Sequence, residues 1–205
     1  MDLHDALTHI AEIRLRMAES ELFRGYRALP VAISGAAALA AAAVQAARIP
    51  EPVADLRGFL LLWISAAGVS LAAVGATLWL RDHFGGASRT RAVTWLALRQ
   101  FAPCLLAGVL VTLAIVRSAP EHAELLPGLW QVLFSLGVFA SCRLLPRAIV
   151  AVGVWYLLCG AAMLALARGS LALSPLAMGI PFGVGQLATA GILYWELERH
   201  HEPSA

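Results

Sequence analysis

The residues able to do chemistry in this chain are few, and most lie at the edges of apolar runs. The histidines are His4, His9, His83, His122, His200 and His201. The last pair is surrounded by Glu196, Glu198 and Glu202. Adjacent histidines on a helix point in different directions, and no H-E-x-x-H spacing occurs, so no metal or other cofactor is expected there. Cys104, Cys142 and Cys159 sit in or beside apolar runs and form no C-x-x-C pair. Such cysteines behave as small apolar residues, and neither a disulfide framework nor a zinc site is expected. No His lies within an apolar run, so a haem held by paired axial histidines is excluded as an expectation. For the same reason Ser65, Ser70 and Ser135 have no base beside them. Their expected role is hydrogen bonding between helices.

One segment stands apart. It reads Ser174-Pro175, then Gly179-Ile180-Pro181-Phe182-Gly183-Val184-Gly185-Gln186. Proline removes a backbone hydrogen bond, and glycines loosen the helix around it. Exposed backbone at mid-membrane is one way that transporters bind ions or solutes. A candidate transport or packing site therefore comprises Pro181, Gly183, Gly185 and Gln186, with Gln131 and Ser135 as companions. The competing reading is a kinked helix whose Gly179 and Gly183 form a small-xxx-small packing face. Packing is the reading favoured, because such motifs are common in ordinary bundles.

The elements that would position these residues follow from composition. Hydrophobic types make up 60 % of the chain and charged residues 14 %. Soluble domains are nearer half apolar and a quarter charged. The apolar residues fall in continuous blocks, each long enough for a bilayer crossing of about 20 helical residues. Strands of a membrane barrel would alternate instead. The expected fold is all-α: a polytopic transmembrane helical bundle of about six spans. These lie at about 30–47, 58–80, 93–116, 125–145, 147–167 and 171–195, within a membrane domain of 28–197. The first span is rich in Ala and carries Gln45, so it is expected to be surrounded by other helices. The second has one side of small residues, read from Ser65, Gly68, Ser70, Ala72 and Gly75. In the third, Pro103 is expected to kink the helix or to mark its effective start. The fourth and fifth are joined so briefly that they must form a tight antiparallel hairpin.

Residues 1–27 precede the spans as an amphipathic cytoplasmic or interfacial helix, and 198–205 form a polar tail. Leu3, Leu7, Ile10, Ile13 and Met17 recur at helical spacing, with Glu12, Arg16, Glu19 and Arg24 largely off that face. The mixed charge of this stretch does not fit a cleavable signal peptide, so the first span is expected to act as its own insertion signal.

All 15 basic residues are Arg. With six spans, eleven fall on the side of the termini and four on the other. The positive-inside rule makes the richer side cytoplasmic. The expected location is a bacterial cytoplasmic (inner) membrane, with both termini inside. Trp79, Trp95 and Trp195 are expected near the inner interface, Trp63 and Trp130 near the outer, and Trp155 deeper as a packing residue. A net charge of +2 does not suggest nucleic acid.

The run Phe23-Arg24-Gly25-Tyr26-Arg27-Ala28-Leu29-Pro30 and the hairpin from Pro127-Gly128-Leu129-Trp130 to Pro146-Arg147, with Trp155-Tyr156, resemble bacterial multi-pass membrane proteins to which no function is assigned. So does the run from Gly179 to Gln186. The resemblance implies a bacterial membrane protein and transfers no catalytic residue. No Asp or Glu lies in the middle of a span, which argues against a buried-carboxylate proton relay. The expected function is that of a non-enzymatic accessory or regulatory membrane component. Its partners would be the lipid bilayer and a membrane or cytoplasmic protein reached through residues 2–27, or a second copy of the chain. The alternative is a small-solute transporter or channel centred on a broken sixth helix.

Overall fold

The computed structural model describes residues 28–84, 88–142 and 145–198. The amphipathic segment 2–27, the tail from 199 and the His200-His201 pair lie outside the described residues.

Within them the fold is an all-α bundle with no strand. Helix α1 spans Ala28–Arg48, α2 Leu56–Phe84 and α3 Ser88–Ser118. A 3-10 turn, Pro120–Leu125, leads into α4, Leu126–Ser141. Helices α5, Ile149–Leu166, and α6, Pro175–Leu193, follow, and Tyr194–Glu198 closes α6 as a wider π turn. Among the described residues, six helices are long and apolar enough to cross a membrane, the fourth only when the 3-10 turn is counted with α4. The chain is thus a multi-pass membrane protein. Pro103 lies inside α3, which continues through it. The sixth helix begins at Pro175 because Ser174 caps it: the Ala177 N–H donates to Ser174 Oγ at 3.3 Å. Residues 169–173 form turns instead, and Gly169 has φ +56°, a left-handed conformation that glycine accepts readily.

The helices sit side by side in the order α2, α1, α6, α5, α4, α3, with α4 also reaching α6. The tightest pairs are α1 with α6 and α4 with α5. Lipid tails are as apolar as Leu, so helix association here rests on close packing and hydrogen bonds rather than on hydrophobic burial. Glycine and alanine supply the close approach. A β-carbon at Gly179 would lie 2.5 Å from that of Ala42, and one at Gly160 would lie 2.8 Å from the Gly128 carbonyl oxygen. The second contact is with backbone, which cannot move aside as a side chain can.

Two aromatic groups complete the interior. Phe134 of α4 packs on Phe101 of α3, Tyr156 of α5 and Phe182 of α6, with centroids 4.9, 4.8 and 5.5 Å apart. Phe59 of α2 stacks on Trp130 of α4 at 6.4 Å.

Three expectations are corrected. Helix α1 is not surrounded: its Ala38, Ala41, Ala42 and Gln45 face is buried, while Leu29, Ile33 and Val44 are exposed. Trp63 is no interface anchor, since it is buried and hydrogen-bonded inside the bundle; Trp130 is likewise half-buried and stacked. Ser65, Ser70 and Ser135 do not bridge helices. Each donates to a carbonyl of its own helix, those of Leu62, Ala66 and Val132. A hydroxyl one turn from a carbonyl meets it without any ordering of a second helix.

The glycines divide into two classes, and substitution separates them. Gly160→Ala should destabilise the bundle by about 1–3 kcal/mol, because the added carbon meets the α4 backbone. Gly75→Ala, where nothing lies within 4 Å, should be neutral or stabilising by up to about 1 kcal/mol. Unfolding free energies in detergent micelles would measure both.

Candidate functional site

Pro181 sets the geometry of the site. It has no N–H, so the carbonyl of Ala177, four residues earlier, loses its helical donor. Hydrocarbon offers no water to replace it, and an unsatisfied carbonyl there costs several kcal/mol. Gln131 of α4 supplies the missing donor: its Nε2 lies 2.8 Å from the Ala177 oxygen. Gln131 is fully buried. One turn further along, Trp155 of α5 donates its indole N–H to the Pro181 carbonyl at 3.1 Å. Helix α6 therefore runs unbroken through its proline.

The approach to α6 is held in the same way. Gln45 of α1 donates to the Leu173 carbonyl at 2.6 Å and accepts the Trp63 indole N–H at 2.7 Å. The Glu124 carboxylate accepts the Gly169 N–H. Thus α1, the 3-10 turn, α4 and α5 each send a side chain to the backbone of 169–181. Near Gly169 the connections α1–α2, α3–α4 and α5–α6 meet around a cavity of about 180 Å³, lined by Val53, Leu56, Pro120, Glu121, Ala123, Glu124, Gly169 and Leu173.

The residues singled out from sequence separate into two groups. Gln131, Pro181 and Gly185 belong to the seam where α4, α5 and α6 meet, while Ser135, one turn from Gln131 on α4, is buried and bonded within its own helix. Gly185 abuts Tyr156: a β-carbon there would lie 2.5 Å from the phenol oxygen. Gly183 and Gln186 turn to α1 instead, near Leu39 and Gly35 respectively. Gln186 is half-buried and is not drawn to Gln131. The glycines of α6 are thus occupied by neighbours, with Ala42, Leu39 and Tyr156 opposite Gly179, Gly183 and Gly185.

Sequence reasoning missed the roles of Gln45, Trp63 and Tyr156. The available signal was a lone glutamine in an Ala-rich span, whose amide must find partners. The seam itself is neutral and polar, with amide, indole, hydroxyl and backbone carbonyl groups. It can hold helices together or accept a small hydrogen-bonding guest. Among the described residues, no three His, Cys, Asp or Glu side chains come together as a metal site would require.

The pairing of Gln131 with Pro181 should appear as energetic coupling. Gln131→Leu should cost about 1–3 kcal/mol, by stranding the Ala177 carbonyl. In a Pro181→Ala background the restored N–H can serve that carbonyl, and the cost should fall. The coupling energy expected is about 0.5–3 kcal/mol. Unfolding free energies of the four proteins would measure it; additive effects would count against the assignment.

No family model matches the chain, and neither does any curated protein or solved structure.

Proposed function

We propose that this chain is a non-enzymatic accessory or regulatory component of a bacterial inner membrane, acting through lateral contacts with another membrane protein. One observation carries the reading. Helix α2 turns its small-residue side away from its own bundle. Phe59, Trp63, Ala66, Ser70, Ala73 and Thr77 recur at helical spacing on the inward face. Ser65, Gly68, Ala72, Gly75 and Ala76 lie on the opposite face and are exposed. A β-carbon at Gly68 or Gly75 would touch nothing, and the same holds for Gly108 of α3. Small residues give nothing to a lipid contact, but they let another helix backbone come close. Helices α2 and α3 are also the longest of those described, with 29 and 31 residues, and each packs extensively on a single other long helix, α2 on α1 and α3 on α4.

Two further features support the reading. The arginine excess on the side of the termini favours a cytoplasmic placement of both ends. The amphipathic pattern of residues 2–27 fits a second contact at that surface.

A second reading, transport of a small solute, draws on the neutral seam at Pro181. The unpartnered Gln131 Oε1 is the observation in its favour.

Cross-linking in native membranes distinguishes the two. Gly68→Leu with Gly75→Leu should abolish the major cross-linked species while leaving the bundle folded. Deleting residues 2–20 should weaken it. Cross-linking unchanged by both alterations would contradict the accessory reading. A chain that never cross-links to another protein would move the weight to transport.

A further inference from the structure

The cavity where the connections α1–α2, α3–α4 and α5–α6 meet has a lining of two kinds. Val53, Leu56, Ala123 and Leu173 give it mostly apolar walls, and Glu121 and Glu124 add two carboxylates. The glutamates are three residues apart in the 3-10 turn Pro120–Leu125, the spacing that stacks side chains on one side of such a turn. One oxygen of Glu124 accepts the Gly169 N–H. Among the described residues, its other oxygen and both oxygens of Glu121 meet no hydrogen-bond donor and no cation. Arg168, next in sequence to Gly169, is engaged elsewhere: its Nη1 donates to the carbonyls of Leu164 and Ala167 at 2.9 and 2.8 Å, at the end of α5.

Two carboxylates lining one cavity repel each other, and here no arginine offsets them. A cation would, and the lining says which kind. A divalent metal ion is a poor fit, because it asks for six or more oxygen ligands. Among the described residues no third acidic side chain joins the pair, and the remaining walls are carbon. An organic ammonium fits both halves of the lining. Its N–H groups need only a few acceptors, and its carbon stem gains from apolar contact. The size agrees: a cavity of about 180 Å³ takes a guest of about six to eight non-hydrogen atoms, judged against the cavity of about 150 Å³ that admits benzene.

We propose that this cavity binds a primary ammonium group on a short carbon stem, supplied by a free aliphatic amine or by the headgroup of an aminophospholipid. Glu121 and the free oxygen of Glu124 accept from the ammonium, and the apolar walls shelter the stem. The site does not depend on the accessory reading, which rests on the small side of α2.

The test titrates the full chain, in nanodiscs of phosphatidylcholine, whose headgroup carries no N–H, with pentylamine by calorimetry. Pentanol is the uncharged counterpart and empty nanodiscs are the blank. Saturable binding of pentylamine, absent with pentanol, is expected. Glu121→Gln should weaken it by about two- to fivefold, the range for a partly exposed charge pair. Glu121→Gln combined with Glu124→Gln should abolish it. The amide introduced by Glu124→Gln still offers an oxygen to the Gly169 N–H, so both variants should keep the wild-type unfolding midpoint. A second arm adds phosphatidylethanolamine to the discs and reads the lipid retained on the protein by native mass spectrometry. Retention that needs the two carboxylates and yields to pentylamine assigns the site to a headgroup; pentylamine binding without such retention assigns it to a free amine. Pentylamine that does not bind in the first arm, binds no better than pentanol, or binds Glu121→Gln as tightly as the wild type overturns the proposal.

Discussion

The absent N–H of Pro181 is the constraint around which the bundle is arranged. A proline in mid-helix frees one carbonyl, and in hydrocarbon that carbonyl must find a donor within the protein. Here the donor comes from another helix, at 2.8 Å, so a local defect of α6 becomes a tie to α4. The indole of Trp155 adds a tie to α5 one turn on. Gln45 does the same from α1 at the entrance to the helix. Each such bond between transmembrane helices is worth only about 0.6 kcal/mol on average, with a maximum near 2. Their importance lies in position: they fix which helices face α6 and at what depth.

Small residues let those bonds form. Gly179 admits α1 as far as Ala42, and Gly128 with Gly160 brings α4 and α5 to backbone contact. Close approach then lets the aromatic rings of α3 to α6 meet at Phe134. On α2, Gly68 and Gly75 point outward instead and meet nothing. One design rule thus operates inside the bundle and is left unused on its flank. The accessory reading rests on that contrast.

Much of this architecture was legible in the sequence. Six spans are visible because hydropathy reports the solvent of each segment without reference to its neighbours. Gln131, Ser135 and Pro181 are visible as polar or helix-breaking residues in apolar runs. What joins them is not. Whether Gln131 or Gln186 serves the carbonyl freed by Pro181 depends on helix order, and the order α2, α1, α6, α5, α4, α3 follows from packing between distant segments. The tryptophans mislead for a related reason. Trp63 and Trp130 lie at the depth where an interfacial belt is expected, yet their indoles serve Gln45 and Thr112 within the bundle. Depth can be read from position in a span, whereas the direction a side chain faces needs the neighbours. The small side of α2 is equally plain in sequence, but nothing there says that it faces outward.

The most direct test of the central tie is the vibration of one carbonyl. A carbon-13, oxygen-18 label in the Ala177 carbonyl, introduced by semisynthesis, isolates its amide band in the infrared. With Gln131 present the band should lie at the frequency of a hydrogen-bonded carbonyl, and in Gln131→Leu it should shift upward. A band at the same frequency in both proteins would contradict the account.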